Sequence, residues 1–360
     1  MSERSAGLIV HSEHPYNAEP PLDRLRATPI TPQRDFYVRS HGDIPPLDAA
    51  THRLRIDGRV SAPSQLTLAE LRARFPERRV AATLQCAGNR RADLQQVRPT
   101  SGDPWGGGAI GNAEWTGVAL ADVLVAAGVA ADAAHVAFEA CDEIDLPGED
   151  RFRYGASIPM PKAMASGTLL AWAMNDEMLA PEHGAPLRVV VPGFAGVRSV
   201  KWLSAITVQD APSASHMQAR DYKLVPPDVT AETVDWERGV TIDEMPLNAA
   251  ICEPAAGARL AAGPATLRGY AVVSGRSVAR VDVSCDGGRH WRQAALEHDA
   301  DAPWSWTFWS ATFDLPKGEC ELAVRAWDSA GQTQPALPDD TWNFKGYLST
   351  AWHRVRVSVG

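Results

Sequence analysis

The chain has 360 residues, 45% hydrophobic and 22% charged, the composition of a globular protein long enough for two or three domains and a substantial buried core. A formal net charge of -9 argues against a general nucleic-acid binder, whose footprint is basic, although a few converging arginines can still dominate one anion pocket. The five cysteines (Cys86, Cys141, Cys252, Cys285 and Cys320) are scattered and form no CxxC pair, so neither a disulfide framework nor a zinc ribbon is indicated, and a reducing compartment is the simplest reading.

In chain order, Met1–Val10 carries only a short apolar patch, without the long apolar stretch of a signal peptide, and no apolar run reaches about 18 residues. A cytoplasmic protein without a membrane partner is therefore expected. The first fifty residues, rich in proline and charge, read as an arm draped over the core. Residues 53–60 read as a strand broken by a turn at Asp57-Gly58. Thr67 and Glu70 form a capping-box signature for a helix carrying Leu68, Leu71 and Phe75 on one face, stopped by Pro76. Val80–Gln85 is a β-prone run that ends at Cys86-Ala87-Gly88-Asn89, a turn that would leave Cys86 exposed at a strand's end. Val118–Ala127 reads as a helix closed by Gly128; His135–Ala140 and Leu187–Val191 read as buried strands.

Near residue 240 the pattern changes to short alternating strands. Val278–Ser284 leads into an Asp286-Gly287-Gly288 hairpin turn before His290-Trp291, and Cys320–Trp327 and His353–Val359 alternate in the same way. Strands at this spacing suggest an antiparallel, immunoglobulin-like sandwich.

The chemistry concentrates in Thr83-Leu-Gln-Cys86-Ala-Gly-Asn-Arg90-Arg91. Two arginines just after a cysteine favour its thiolate, a soft ligand for transition metals. The spacing alone is equally that of a buried structural cysteine beside two solvent-facing arginines.

This segment resembles the cofactor-ligating motif of the sulfite oxidase family, and further segments extend the resemblance over nearly the whole chain. They are His14–Pro21; Phe36-Tyr37-Val38-Arg39-Ser40-His41, with Ser40 where the family usually has Asn; Arg98-Pro99 with Trp105; His183–Gly193; Gly196–Trp202; Asp221-Tyr222-Lys223; and Ala351–Val355. The resemblance implies an α+β protein, with an arm and a mixed α/β molybdopterin domain over 1–238 and an immunoglobulin-like dimerisation domain over 239–360. It implies a molybdenum-molybdopterin cofactor with Cys86 as the protein's ligand to the metal. Tyr37, Val38, Arg39, Ser40, His41, Asp142, His183, Arg188, Ser199, Val200 and Lys201 would hold the pterin and its phosphate. Those residue types suit the task, because Arg offers a planar fork, Lys a point charge and the others hydrogen-bonding groups.

The reaction implied is oxidation of sulfite to sulfate, with Arg39 and Arg91 binding the anion, Trp105 shaping the pocket, Tyr222 donating a hydrogen bond and Arg354 reaching in from the second domain. Only about 35 residues precede Phe36 and no CxxCH site occurs, so no haem or flavin is expected and the electron acceptor would be external, dioxygen or a cytochrome. A homodimer is expected as well. The alternatives are an enzyme of the same fold acting on another oxyanion or a sulfoxide, a non-catalytic binding protein, or a cysteine hydrolase using His183.

Overall fold

The computed structural model describes residues 7–360; the reading of residues 1–6 lies outside the described residues. The arm is partly ordered into elements: strands Ile9–Glu13 and Tyr16–Glu19 form a hairpin, followed by a short helix Leu22–Ala27. Its second strand is entirely buried, and Ala18 exchanges backbone hydrogen bonds with Val38 at 2.8 and 2.9 Å.

Two sheets form the first region. One carries Glu77–Gln85, Ile110–Ala119, Leu169–Met174 and Glu177–Met178 side by side, with Arg188–Val190 added to Leu169–Met174. The other runs in the order Ser64–Thr67, Arg53–Gly58, Leu203–Gln209, His135–Ile144 and Phe152–Pro159, with one parallel pair between Arg53–Gly58 and Leu203–Gln209. Helices Leu68–Arg74 and Leu120–Ala127 add Leu68, Leu71, Val123 and Leu124 to the apolar core these sheets share. The capping box is formed at both bonds, Glu70 N–H to Thr67 Oγ1 at 3.0 Å and Thr67 N–H to Glu70 Oε2 at 2.8 Å. Gly128 closes the second helix at φ 69°. That helix starts two residues later than the sequence pattern suggests, because Val118 and Ala119 pair with Leu170 and Leu169 in the sheet.

The second region is two sheets over one apolar core. Asn248–Glu253, Gly263–Val272, Thr307–Leu315 and Ala295–Glu297 make the first; Arg259–Leu260, His353–Val359, Gly318–Asp328, Val278–Ser284 and Arg292–Gln293 make the second. The hairpin after Ser284 is longer than read from the sequence. Asp286 collects the backbone N–H groups of Arg289 and His290 at 3.0 and 2.9 Å, so pairing resumes only at Arg292, opposite Val283. Among the described residues no helix is long and apolar enough to cross a membrane.

The regions meet along a seam built by Trp304 and Trp306. Thr83 N–H donates to Trp304 O at 2.9 Å, Trp306 N–H returns to Thr83 Oγ1 at 2.8 Å, and the Trp304 ring lies under the Lys162 ammonium at 4.4 Å.

Candidate active site

Strand Glu77–Gln85 delivers Cys86 to a turn whose backbone folds back on the sulfur. Gly88 N–H donates to Sγ at 3.4 Å and Asn89 N–H to Cys86 O at 3.0 Å. Contrary to the sequence reading, Cys86 is buried, 5% exposed, because the arm and residues 105–109 pack beside it. Burial pushes its thiol up, opposed by the charges of Arg39 and Arg91 and by the Gly88 bond. The two arginines after it part company. Arg90, at φ 64°, turns its buried side chain toward the second region, where Nη1 donates to Asn248 Oδ1 at 2.9 Å. Arg91 stays beside Cys86. Its guanidinium donates to Asp103 O at 2.9 Å and Lys345 O at 3.1 Å, and a Cβ on Gly88, Gly102 or Gly346 would collide with it.

Cys86 forms part of the wall of a partly enclosed cavity. Tyr37, Arg39, Ser40, His41, Asp142, His183, Arg188, Ser199, Val200, Lys201 and Tyr222 all line it, from segments far apart in sequence. The arm positions the first group: Asn17 Oδ1 accepts from Ser40 N–H at 2.8 Å and from Arg39 Nη1 at 3.3 Å. His41 Nε2 and Tyr222 Oη are 2.8 Å apart. Burial first, then the charges of Arg39 and Lys201, hold His41 well below the ordinary imidazole range, so the ring is neutral.

Lys201 Nζ donates to Ser40 Oγ at 3.0 Å and Glu182 O at 2.8 Å; burial and then Arg188 pull it down to about 7. Arg188 is spent on backbone carbonyls, Nη1 to His183 O at 2.9 Å and Nη2 to Ser199 O at 3.0 Å, and its role in the wall is to fix the segments that carry them. His183 is likewise occupied, its Nε2 facing Gln33 O at 2.9 Å, and burial drives it down to about 3, which removes it as a base for Cys86. Asp142 is 3% exposed, pushed up to about 6 by burial, and its Oδ1 has no partner; the indole N–H of the fully buried Trp105 has none either. Unpaired buried polar atoms of this kind are uncommon, and one in a cavity wall is a place for a ligand's complementary group.

Three expected residues sit elsewhere. Val38 does not line the cavity: both its backbone polar groups pair with Ala18 and its side chain packs on Tyr16 and Ala18. Trp105 lies in the apolar cluster behind Cys86, its ring edge-on to His11 at 4.7 Å. Arg354 does not reach the site at all. On strand His353–Val359 the core face belongs to His353, Val355 and Val357, so Arg354 points outward, to Glu321 Oε1 at 2.8 Å and Gly287 O at 3.1 Å.

The second region reaches the site by a different segment. Lys345 forms an ion pair with Asp221, Tyr347 stacks on Tyr222 with ring centres 5.1 Å apart, and Leu348 N–H donates to Ala87 O at 2.8 Å. The sequence reading missed Lys345 and Tyr347, along with Asn17 and Glu19 of the arm. Glu19 receives the N–H groups of Gly106 and Gly108 at 2.6 and 2.8 Å, steadying the loop beside Cys86. The result is a buried thiol under the charges of Arg39 and Arg91, in a site where Lys201 and Lys345 add their charges at His41, suited to holding an anionic group.

The chain is similar to known proteins over nearly its whole length. The family model of the oxidoreductase molybdopterin binding domain matches residues 41–217, and that of the Mo-co oxidoreductase dimerisation domain matches residues 239–360. Sulfite oxidase of Gallus gallus is 44% identical over 98% of this chain and 78% of its own length. Sulfite oxidase of Arabidopsis thaliana is 38% identical over 99% of this chain and 95% of its own. The chain spans 66% of the mammalian relatives it matches. Among solved structures, the sulfane dehydrogenase SoxCD from Paracoccus pantotrophus superposes with a TM-score of 0.81 at 28% identity, covering 96% of this chain and 85% of that one.

Proposed function

We propose that this chain, which belongs to the sulfite oxidase family of molybdopterin oxidoreductases, oxidises sulfite to sulfate and passes the two electrons to an external acceptor, dioxygen or a cytochrome. The observation that carries the reading is the convergence of Cys86, Arg39 and Tyr222 at one cavity that Ser40, Asp142, Ser199 and Lys201 also line, with the Arg91 charge acting on Cys86.

The residues present fit the cofactor. A pterin with a phosphate needs a carboxylate acceptor, a cation and hydroxyl donors, and the unpaired Oδ1 of Asp142, the Lys201 ammonium, and Ser40 and Ser199 supply them. Cys86, a soft donor lying in the cavity wall, would be the protein's thiolate ligand to the metal. Bound there, the group supplies two-electron oxidation and the transfer of an oxygen atom that water replaces, so that sulfite and water become sulfate, two protons and two electrons.

The protein's own part is binding and orientation. Arg39 and Arg91 draw the dianion out of water, and Arg91, boxed by three glycines, offers its remaining donors in a fixed direction. Because His41 is neutral, its Nε2–H can donate to the Tyr222 oxygen, freeing the Tyr222 O–H to point at a substrate oxygen. Burial raises Tyr222 above the ordinary phenol range, so it serves as a donor and keeps its proton.

The second region reads as an immunoglobulin-like sandwich, supported by its two antiparallel-rich sheets over one core, and as the surface of a homodimer, supported by its family model. Molybdenum analysis of protein from a cofactor-making host, with sulfite-dependent reduction of ferricyanide, tests the function. One metal per chain with sulfite-driven reduction is expected. Full metal without sulfite turnover would favour another substrate, a sulfane first, given the structural likeness to a sulfane dehydrogenase. Metal-free protein would sink the assignment.

A further inference from the structure

Between the two regions runs segment 242–249, and it is tied to each side of the site. Ile242 N–H donates to Tyr222 O at 3.1 Å, Ala195 N–H to Asp243 O at 2.7 Å, and Met245 N–H to Gly193 O at 3.0 Å. Further along, Arg90, four residues after Cys86, donates to Asn248 Oδ1 at 2.9 Å and Ala249 O at 3.2 Å.

At the head of this segment sits Arg198, whose side chain is wholly buried although it lines no part of the cavity. Its Nε and Nη2 donate to Ile242 O at 3.1 and 2.8 Å, and Nε pairs with Asp243 Oδ1 at 3.0 Å. Its Nη1 donates to Gln218 Oε1 at 2.7 Å, and that oxygen also accepts Ser157 N–H at 2.5 Å. Gln218 belongs to the single turn Met217–Asp221 that immediately precedes Tyr222, whose own N–H returns to Met217 O at 3.0 Å. One guanidinium therefore grips the turn before Tyr222 and the segment bonded to Tyr222 from behind. It grows from the short helix Gly196–Arg198, which leads directly into the cavity-lining residues Ser199, Val200 and Lys201. A buried charge is costly and persists only where its partners are fixed. Arginine's rigid fork of donors meets three acceptors on two segments at once, in fixed directions that a compact ammonium does not offer.

We infer that Arg198 is a positioning residue for the reaction: through Gln218, Ile242 and Asp243 it sets the Tyr222 hydroxyl against His41 and fixes its separation from the Ser199–Lys201 wall. The identity of the anion that Tyr222 meets rests on the sulfite reading; the positioning does not.

The test is a double-mutant cycle with a fluorine reporter. Arg198→Lys keeps the charge and loses the fork. In the holoenzyme it raises KM for sulfite about tenfold, and by less than about twofold when Tyr222→Phe has already removed the hydroxyl, since two residues acting through one atom are not additive. In protein labelled with 3-fluorotyrosine, with the Tyr222 signal assigned by its loss in Tyr222→Phe, Arg198→Lys shifts the Tyr222 resonance and leaves those of Tyr16 and Tyr270 in place. Should Arg198→Lys fail to fold, Asp243→Asn, at a half-exposed partner, carries both readouts with a smaller change in the same direction. An unmoved Tyr222 resonance, or KM losses that simply multiply in the double variant, overturns the inference. Wild-type protein that does not turn over sulfite removes the sulfite reading and leaves the fluorine resonance to decide the positioning.

Discussion

Cys86 and Asp142 are two cavity-wall residues whose burial disfavours their charged forms. A thiol pushed up by burial between two arginines is a poor free nucleophile and a good metal ligand, because metal binding replaces the proton and restores the charge those arginines favour. Cys86→Ser, a harder and far less acidic ligand, is expected to abolish turnover with the fold and thermal stability nearly unchanged; wild-type turnover in molybdenum-loaded variant would contradict the ligand role.

Asp142 gives a stability signature. Its folded-state pKa, about 6, lies above the ordinary 3.8, so between those values the native protein binds more protons than the unfolded chain and stability falls as pH rises. Cofactor-free wild-type protein should therefore lose up to about 3 kcal/mol between about pH 4 and 6 from this group alone, a loss that Asp142→Asn escapes. Parallel melting curves against pH for the two proteins would show that Asp142 is not held in an unfavourable environment.

At the scale of elements, what could be read from sequence was local and what could not was long-range. The Thr67–Glu70 box is complete within four residues, and it forms as read; Thr67→Ala should cost about 1 kcal/mol in denaturant unfolding with KM for sulfite unchanged. The end of strand Glu77–Gln85 and the turn at Cys86 were equally legible, as was the periodicity that makes His353–Val359 a strand. Alternation also decides which way Arg354 faces, but only once the core side of that strand is known, and a lone arginine near the C-terminus does not reveal it. Lys345 and Tyr347 had no local signal: they follow a short helical turn, Pro338–Thr341, and matter only because the chain returns there to Arg91, Tyr222 and Ala87. Gly346, at φ 63°, makes that return possible, since a methyl group there would sit 2.5 Å from Arg91 Cγ. Gly346→Ala is expected to raise KM for sulfite by about tenfold or more through displacement of Arg91 while the far sheets keep their stability; an unchanged KM would mean that Arg91 does not meet the substrate.

For the whole molecule, the seam binds the two regions into one cooperative body. Trp304 is gripped by Lys162 and packed against Gly167 and Gly193, Trp306 reaches back to Pro29 through its indole N–H at 3.0 Å, and Arg90 is buried between the Cys86 turn and Asn248. Calorimetry of the cofactor-free protein should show a single unfolding transition, because neither region can open without stranding these groups. Two resolved transitions would mean that the seam contributes little.

The return of residues 345–348 to the cavity has a bearing on how the protein is made. Cys86, Arg39 and Tyr222 leave the ribosome long before Lys345 and Tyr347 do, so a nascent chain carries the cavity residues before the segment that backs Tyr222 and Arg91 has emerged. A chain cut ahead of Lys345 would therefore keep Cys86 and Tyr222 but lose the Tyr347 ring stacked on Tyr222 and the Lys345 carbonyl that Arg91 holds.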